Sequence, residues 1–107
     1  MPQRAILQRA LLLDVADDVA TAIVDLRANE SVSVSLNDRT VEVVLNEAIE
    51  FGHKFALRDI AQGEPILKYG LPIGNALSDI RAGDWVHVHN CRSEHFGFHR
   101  EQYGLKA

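Results

Sequence analysis

Two histidines stand two residues apart in Trp85-Val-His-Val-His-Asn90. In a strand, residues i and i+2 share a side. His87 and His89 would then face one way with Trp85, and Val86 and Val88 the other. Neighbouring imidazoles can bind a divalent metal, hold a carboxylate, or act as acid and base. Two ligands do not complete a metal site, and the same spacing describes a solvated edge strand. Gly52-His53-Lys54 sets two cations beside a glycine that permits a sharp turn, although a His-Lys pair is also common as plain surface. Leu67-Lys68-Tyr69-Gly70 places a cation and a phenol beside a Gly/Pro-punctuated turn. Lys68 there suits an anionic substrate, while Tyr69 serves equally as a half-buried packing residue. His95 and His99 are four apart and, with Cys91, extend the series of possible ligands. Gly97 lies between them and no CxxC pair anchors the array, which argues against a zinc module.

The elements that must position these groups are organised by a repeat. Val24–Val32, Arg58–Ile66 and Ser78–Val86 share Asp, a branched apolar residue, two variable residues, Gly or Asn, an acid, one variable residue, then Val or Ile. A weaker copy, Glu47–Phe55, keeps Ile49 and Gly52 at the same separation. The pattern predicts single helical turns capped by Asp25, Asp59 and Asp79. Leu26, Ile60 and Ile80 would plug these turns into the core. Gly63, Gly83 and Asn29 would end them in the left-handed conformation. The irregular spacing excludes a solenoid. Between copies, "SVSVSL" and "TVEVVL" alternate with period two around the turn residues Asn-Asp-Arg, which predicts a hairpin. "KFAL", "PILKY" and "DWVHVHN" read as further strands. "VATAIV" fits a strand, or part of a helix from Asp17 to Leu26. The fold class is mainly β, one small domain of many short strands with short one-turn helices, over residues 1–90. Residues 91–107 read as a tail or linker.

The 107 residues, 47% hydrophobic and 24% charged, are those of an ordinary small globular domain. The formal charge of −4 gives no support to nucleic-acid binding. One cysteine excludes an internal disulfide and fits a reducing compartment. The apolar run in the opening residues is broken by Gln8, Arg9 and Asp14. It reads as neither signal peptide nor membrane span, so a cytoplasmic protein is expected.

Gly52–Asn90, with its series GHK, LKYG, IG and HVHN, closely resembles the amino-terminal domain of the altronate dehydratase (altronate hydrolase) family of sugar-acid dehydratases, which includes galactarate dehydratase. The small subunit of sulfolactate sulfo-lyase is similar too. The resemblance extends loosely back to Leu11. It implies a β-clip fold of the SAF type. It also implies a hydro-lyase reaction, the β-elimination of water from altronate or a related aldonate to a 2-keto-3-deoxy acid. The cofactor it implies is a divalent metal, usually ferrous iron. Family members carry a much larger catalytic domain, so a large catalytic lyase domain or subunit is the expected partner, and this chain alone is expected to be inactive. Joined to the residue reading, the resemblance suggests His87 and His89 as catalytic or metal-facing groups. His53, Lys54, Lys68, Tyr69 and Asn90 would then contact the substrate. A sugar-acid binding module without chemistry, and an interaction domain that self-associates through strand edges into a homo-oligomer, are the competing expectations.

Overall fold

Period-two alternation sets the sheets. In the computed structural model, which describes residues 8–87 and 89–92, every strand pairing is antiparallel. β1 (Ala10–Leu11), β2 (Val19–Ala22), β5 (Lys54–Ala56) and β8 (Trp85–Val86) form one sheet in the order β1-β2-β5-β8. β3 (Ser31–Leu36) and β4 (Arg39–Val44) form the expected hairpin, with Asn37 at φ +55 in its turn. β6 (Pro65–Lys68), β7 (Leu71–Ala76) and β9 (Cys91–Arg92) form a third sheet in that order. "VATAIV" is therefore a strand at its start. The β2-β5-β8 strands separate two cores. Ala20 and Phe55 point into a cluster with Leu26, Val34, Leu45 and Ile49; Val19, Ala56 and Val86 point into another with Ile60, Ile66, Ile80 and Cys91. Adjacent residues on a strand thus serve opposite cores. Among the described residues no helix is long and apolar enough to cross a membrane.

The sequence repeat is real, but its mechanics differ from the expected one-turn helices: among the described residues there is no helix. Each copy is a short extended segment followed by a turn, and the copies pair. Leu26 bridges Ile49, and Ile60 bridges Ile80, each pair exchanging two backbone hydrogen bonds of 2.7–3.0 Å. The left-handed residue of each copy (Asn29, Gly52, Gly63 and Gly83, φ between +69 and +94) donates its N–H to the carbonyl two residues before its partner copy (Leu45, Ala22, Ala76 and Ala56). Two antiparallel pairs with local twofold character result.

The repeated aspartate caps its partner's turn rather than its own. Asp25 Oδ1 accepts from Phe51 N–H, Asp59 Oδ1 from Ala82 N–H, and Asp79 Oδ1 from Gln62 N–H, each at 2.9 Å. The repeated acid closes its own turn. Glu30, Glu64 and Asp84 accept from the N–H three residues back, at Arg27, Ala61 and Arg81, again at 2.9 Å. No helical turn follows these aspartates, so no N2 or N3 amide is presented to them, and the carboxylate bonds to the partner copy's turn instead. The weak copy has lost both devices: Ala48 stands at the aspartate position and His53 at the acid position.

β9 carries the folded unit to Arg92, two residues past the expected boundary, because Cys91 and Arg92 pair with Ala76 and Asn75. Gly74 permits this. A Cβ there would lie 2.1 Å from the Arg92 carbonyl oxygen. His95, His99 and the rest of the expected tail lie outside the described residues.

Candidate functional site

The acid-to-histidine exchange in the weak copy sets the first wall of the site. The turn places His53 at the mouth of β5, where Trp85 on the adjacent β8 donates its indole N–H to His53 Nδ1 at 3.1 Å. That pairing takes the Nδ1 lone pair and leaves Nε2 for a ligand. Trp85 N–H in turn donates to Glu47 Oε2 at 3.1 Å. An open cleft of about 380 Å³, lined by Glu47, Ala48, Glu50, His53 and Trp85, lies where the aspartate side chain is missing.

His87 and His89 join the same wall, though not as expected. The strand ends at Val86; His87 is in a bend, and His89 and Asn90 form a turn. The cause is Asn90. It is 7% exposed, accepts His87 N–H on its side-chain oxygen at 2.9 Å, and donates its amide to the Trp85 carbonyl at 2.7 Å. Those local bonds replace the strand ladder. Asn90, expected to touch substrate, instead has its polar atoms committed to folding the histidine turn. Both imidazoles nevertheless lie on the Trp85 side. The His87 ring stacks on the indole at 5.1 Å and 9°, His89 lies 5.1 Å from it at 40°, and His53 is 5.6 Å from His87. Four rings form one aromatic, nitrogen-bearing surface.

Lys54 supplies the charge. Its side chain is partly buried, which lowers its pKa, and the nearby Lys68 ammonium lowers it further. Among the described residues neither lysine forms an ion pair. His87 is held below the usual imidazole value first by desolvation and then by Lys54, His53 and His89, which keeps it neutral near pH 7. Cys91 is buried and its thiol is pushed up by desolvation, so it is a packing residue rather than a nucleophile.

Lys68 sits at the end of β6, before a two-residue turn of Tyr69 (φ +59) and Gly70 (φ +73). The expected longer Gly/Pro turn is confined to those two residues. Pro72 is in β7, opposite Leu67, where the register shifts and a missing N–H is tolerated. Tyr69 is 64% exposed, with the Lys68 ammonium 6.0 Å from its ring centre, so it is not a packing residue.

The residues that spacing alone did not single out are Trp85 as the hub, Glu47 as its anchor, and Asp17. The departure of the weak copy at Ala48 and His53 was the signal available for the cleft. Among the described residues no group of three His, Cys, Asp or Glu is placed to hold a metal ion, and His95 and His99 lie outside them.

Residues 8–94 match the family model described as the altronate/galactarate dehydratase SAF domain. The chain is 52% identical over 77 residues to an altronate dehydratase of Escherichia coli (strain K12), and 38% identical over 77 residues to one of Bacillus subtilis (strain 168). Each match covers 72% of this chain and 15% of the relative, so the chain spans about one-seventh of their length. It is also 37% identical over 84 residues to the (2R)-sulfolactate sulfo-lyase subunit alpha of Chromohalobacter salexigens, covering 76% of this chain and 89% of that subunit. With GHK, LKYG, His87, His89 and Asn90 placed in one fold, the chain belongs to the family of altronate/galactarate dehydratase SAF domains.

Proposed function

We propose that this lyase-associated domain holds the carboxylate of a hydroxy acid such as altronate for a larger catalytic domain or subunit that eliminates water from it. The observation that carries this reading is the wall of His53, Trp85, His87 and His89, whose neighbouring rings lie 5.1–5.6 Å apart, beside the partly buried Lys54. Lys54 is desolvated, feels the charge of Lys68 and has no ion-pair partner among the described residues, which favours an anion bound beside it. Elimination next to a carboxylate needs that group's developing negative charge stabilised, a base for the α-proton, and an acid for the departing hydroxide. The lysines answer the first need. The neutral His87, with the open Nε2 of His53 and the exposed His89 beside it, offers proton-exchanging groups on the same wall; the base is left to the complete enzyme.

Mixing the chain with the large component is expected to restore dehydration of altronate that neither gives alone, and His87→Ala with His89→Ala to reduce it. An unchanged reconstituted rate would remove both histidines from the chemistry. The match across 89% of a sulfo-lyase alpha subunit supports a second reading. In it the same anion site serves a lyase that expels sulfite from sulfolactate. Sulfite release, measured beside 2-keto acid formation from altronate, separates the two.

A further inference from the structure

We propose that Asp17 is a positioning residue for the anion site: its buried carboxylate grips the backbone of the Tyr69–Gly70 turn and so aims Lys68. This rests on the reading above that Lys68 contacts the ligand's carboxylate. Asp17 is 0% exposed. Its Oδ2 accepts from Tyr69 N–H at 2.9 Å and its Oδ1 from Gly70 N–H at 2.8 Å. The next residue, Asp18, accepts from Leu67 N–H at 2.8 Å and from Arg58 Nε at 2.8 Å. Three of the four amides from Leu67 to Gly70 therefore end on two adjacent buried carboxylates, and Lys68 is the residue left between them. The loop bearing these acids is itself tied down, since Arg39 donates to the carbonyls of Val15 and Asp17 at 2.7 Å each.

Closing a hairpin does not require this apparatus. Two consecutive positive φ values are those of a type I′ turn, which Asn-Gly adopts unaided. The β3–β4 hairpin turns through Asn37-Asp38, and among the described residues no carboxylate bonds to its turn amides. At β6–β7 a tyrosine, poorly suited to φ +59, occupies the strained position and projects its ring into solvent. A buried charge is tolerated only when its oxygens are satisfied, and here both are satisfied by the two amides of that strained turn. What this fixes is the direction in which the tip presents Lys68 and Tyr69. Strain of this kind collects where a group must be held ready for a partner.

The test is a double-mutant cycle on the full chain, titrated with altronate and followed by calorimetry and by the emission of Trp85, the only tryptophan. Lys68→Ala is expected to weaken binding roughly tenfold or more. Asp17→Asn, which replaces one acceptor oxygen by a donor, is expected to weaken it comparably while leaving the unliganded Trp85 emission unchanged. The double variant should bind no worse than Lys68→Ala alone, because Asp17 acts through Lys68; a merely structural loss would multiply. Should Asp17→Asn not fold, Asp17→Glu, which keeps the charge and displaces its oxygens, takes its place in the cycle. Wild-type affinity in the folded Asp17 variant, or multiplied losses in the double, would overturn the inference alone. Failure of the wild type to bind altronate, or wild-type affinity in Lys68→Ala, would overturn the anion site and this inference with it.

Discussion

Ala48→Asp should stabilise the protein, although it adds a negative charge to a chain already at −4. Three copies of the repeat carry an aspartate that accepts the partner copy's turn amide at 2.9 Å, and only Ala48 breaks the set. By the twofold relation of Leu26 to Ile49, an aspartate there would accept from Ala28 N–H as Asp25 accepts from Phe51 N–H. Such a cap is worth about 1 kcal/mol. The new carboxylate would share its cleft with Glu47 and Glu50, and like charges at a solvated surface oppose it by roughly 0.2–0.5 kcal/mol each. The expected net gain is about 0.3 kcal/mol at low salt, moving toward 1 kcal/mol as salt screens the repulsion. In thermal melts this corresponds to a rise in Tm of about 1–2 °C at low salt and about 4–8 °C in high salt. Asp25→Ala in parallel should lose about 1 kcal/mol. If Ala48→Asp lowers Tm in high salt while Asp25→Ala also lowers it, the two halves of the pair are not equivalent and the cross-capping argument fails.

His53→Glu restores the acid that closes the other three turns, so Tm should rise by an amount equivalent to roughly 0.5–1 kcal/mol. It removes the acceptor of the Trp85 indole at the same time, and altronate binding should fall; unchanged binding would remove His53 from the site. Lys54→Met removes a partly desolvated ammonium that also feels the charge of Lys68 and should stabilise the unliganded chain by about 0.5 kcal/mol after allowance for solvent screening, while abolishing altronate binding. The stability gain should be full at pH 7 and shrink toward pH 10.5, because the wild-type amine, its pKa depressed, loses its proton in the folded state first. His87 is depressed in the folded state, so the unfolded chain binds its proton first and wild-type stability should decline as pH falls below 6.5. In urea titrations His87→Asn should flatten that decline, and an unchanged pH slope would show that His87 is not desolvated. Gly74→Ala forces a Cβ against the Arg92 carbonyl and should release β9 at a cost of about 1–3 kcal/mol. Labelling of Cys91, slow in the wild type, would then become fast.

Much of this fold was legible because alternation and turn chemistry are local. Val32, Val34, Val41 and Val43 fixed the β3–β4 hairpin, and the repeat located four turns whose apolar residues do plug the two cores. What could not be read was who each polar group bonds to. An aspartate three residues after the end of a strand looks like a cap for its own turn. Only the pairing of distant copies, Leu26 with Ile49 and Ile60 with Ile80, shows that it caps another. Likewise His87 and His89 read as strand residues, but a single long-reaching amide, Asn90, bends the chain after Val86. The same-side placement survives because the bent segment folds back over the Trp85 ring. Nothing local in the sequence marks Asp17 and Asp18. Their bonds span 49 to 53 positions in sequence, beyond the reach of any local pattern.

The duplicated design also explains why the candidate site sits where it does. Four equivalent turns each need two carboxylates to satisfy their amides; Arg58–Ile66 and Ser78–Val86 have both, while Val24–Val32 and Glu47–Phe55 keep one each. A copy that gives up its carboxylates loses stability which the other three still supply, so one copy can diverge without unfolding the domain. The diverged copy borders β5, the strand shared by both cores, and there the missing aspartate opens the cleft while the exchanged histidine meets Trp85. A local break in a pattern that the fold otherwise obeys is the expected mark of a residue kept for binding rather than for folding. On that reasoning, stability and ligand affinity should move in opposite directions at positions 48, 53 and 54, and in the same direction at position 17, where the buried carboxylate serves both.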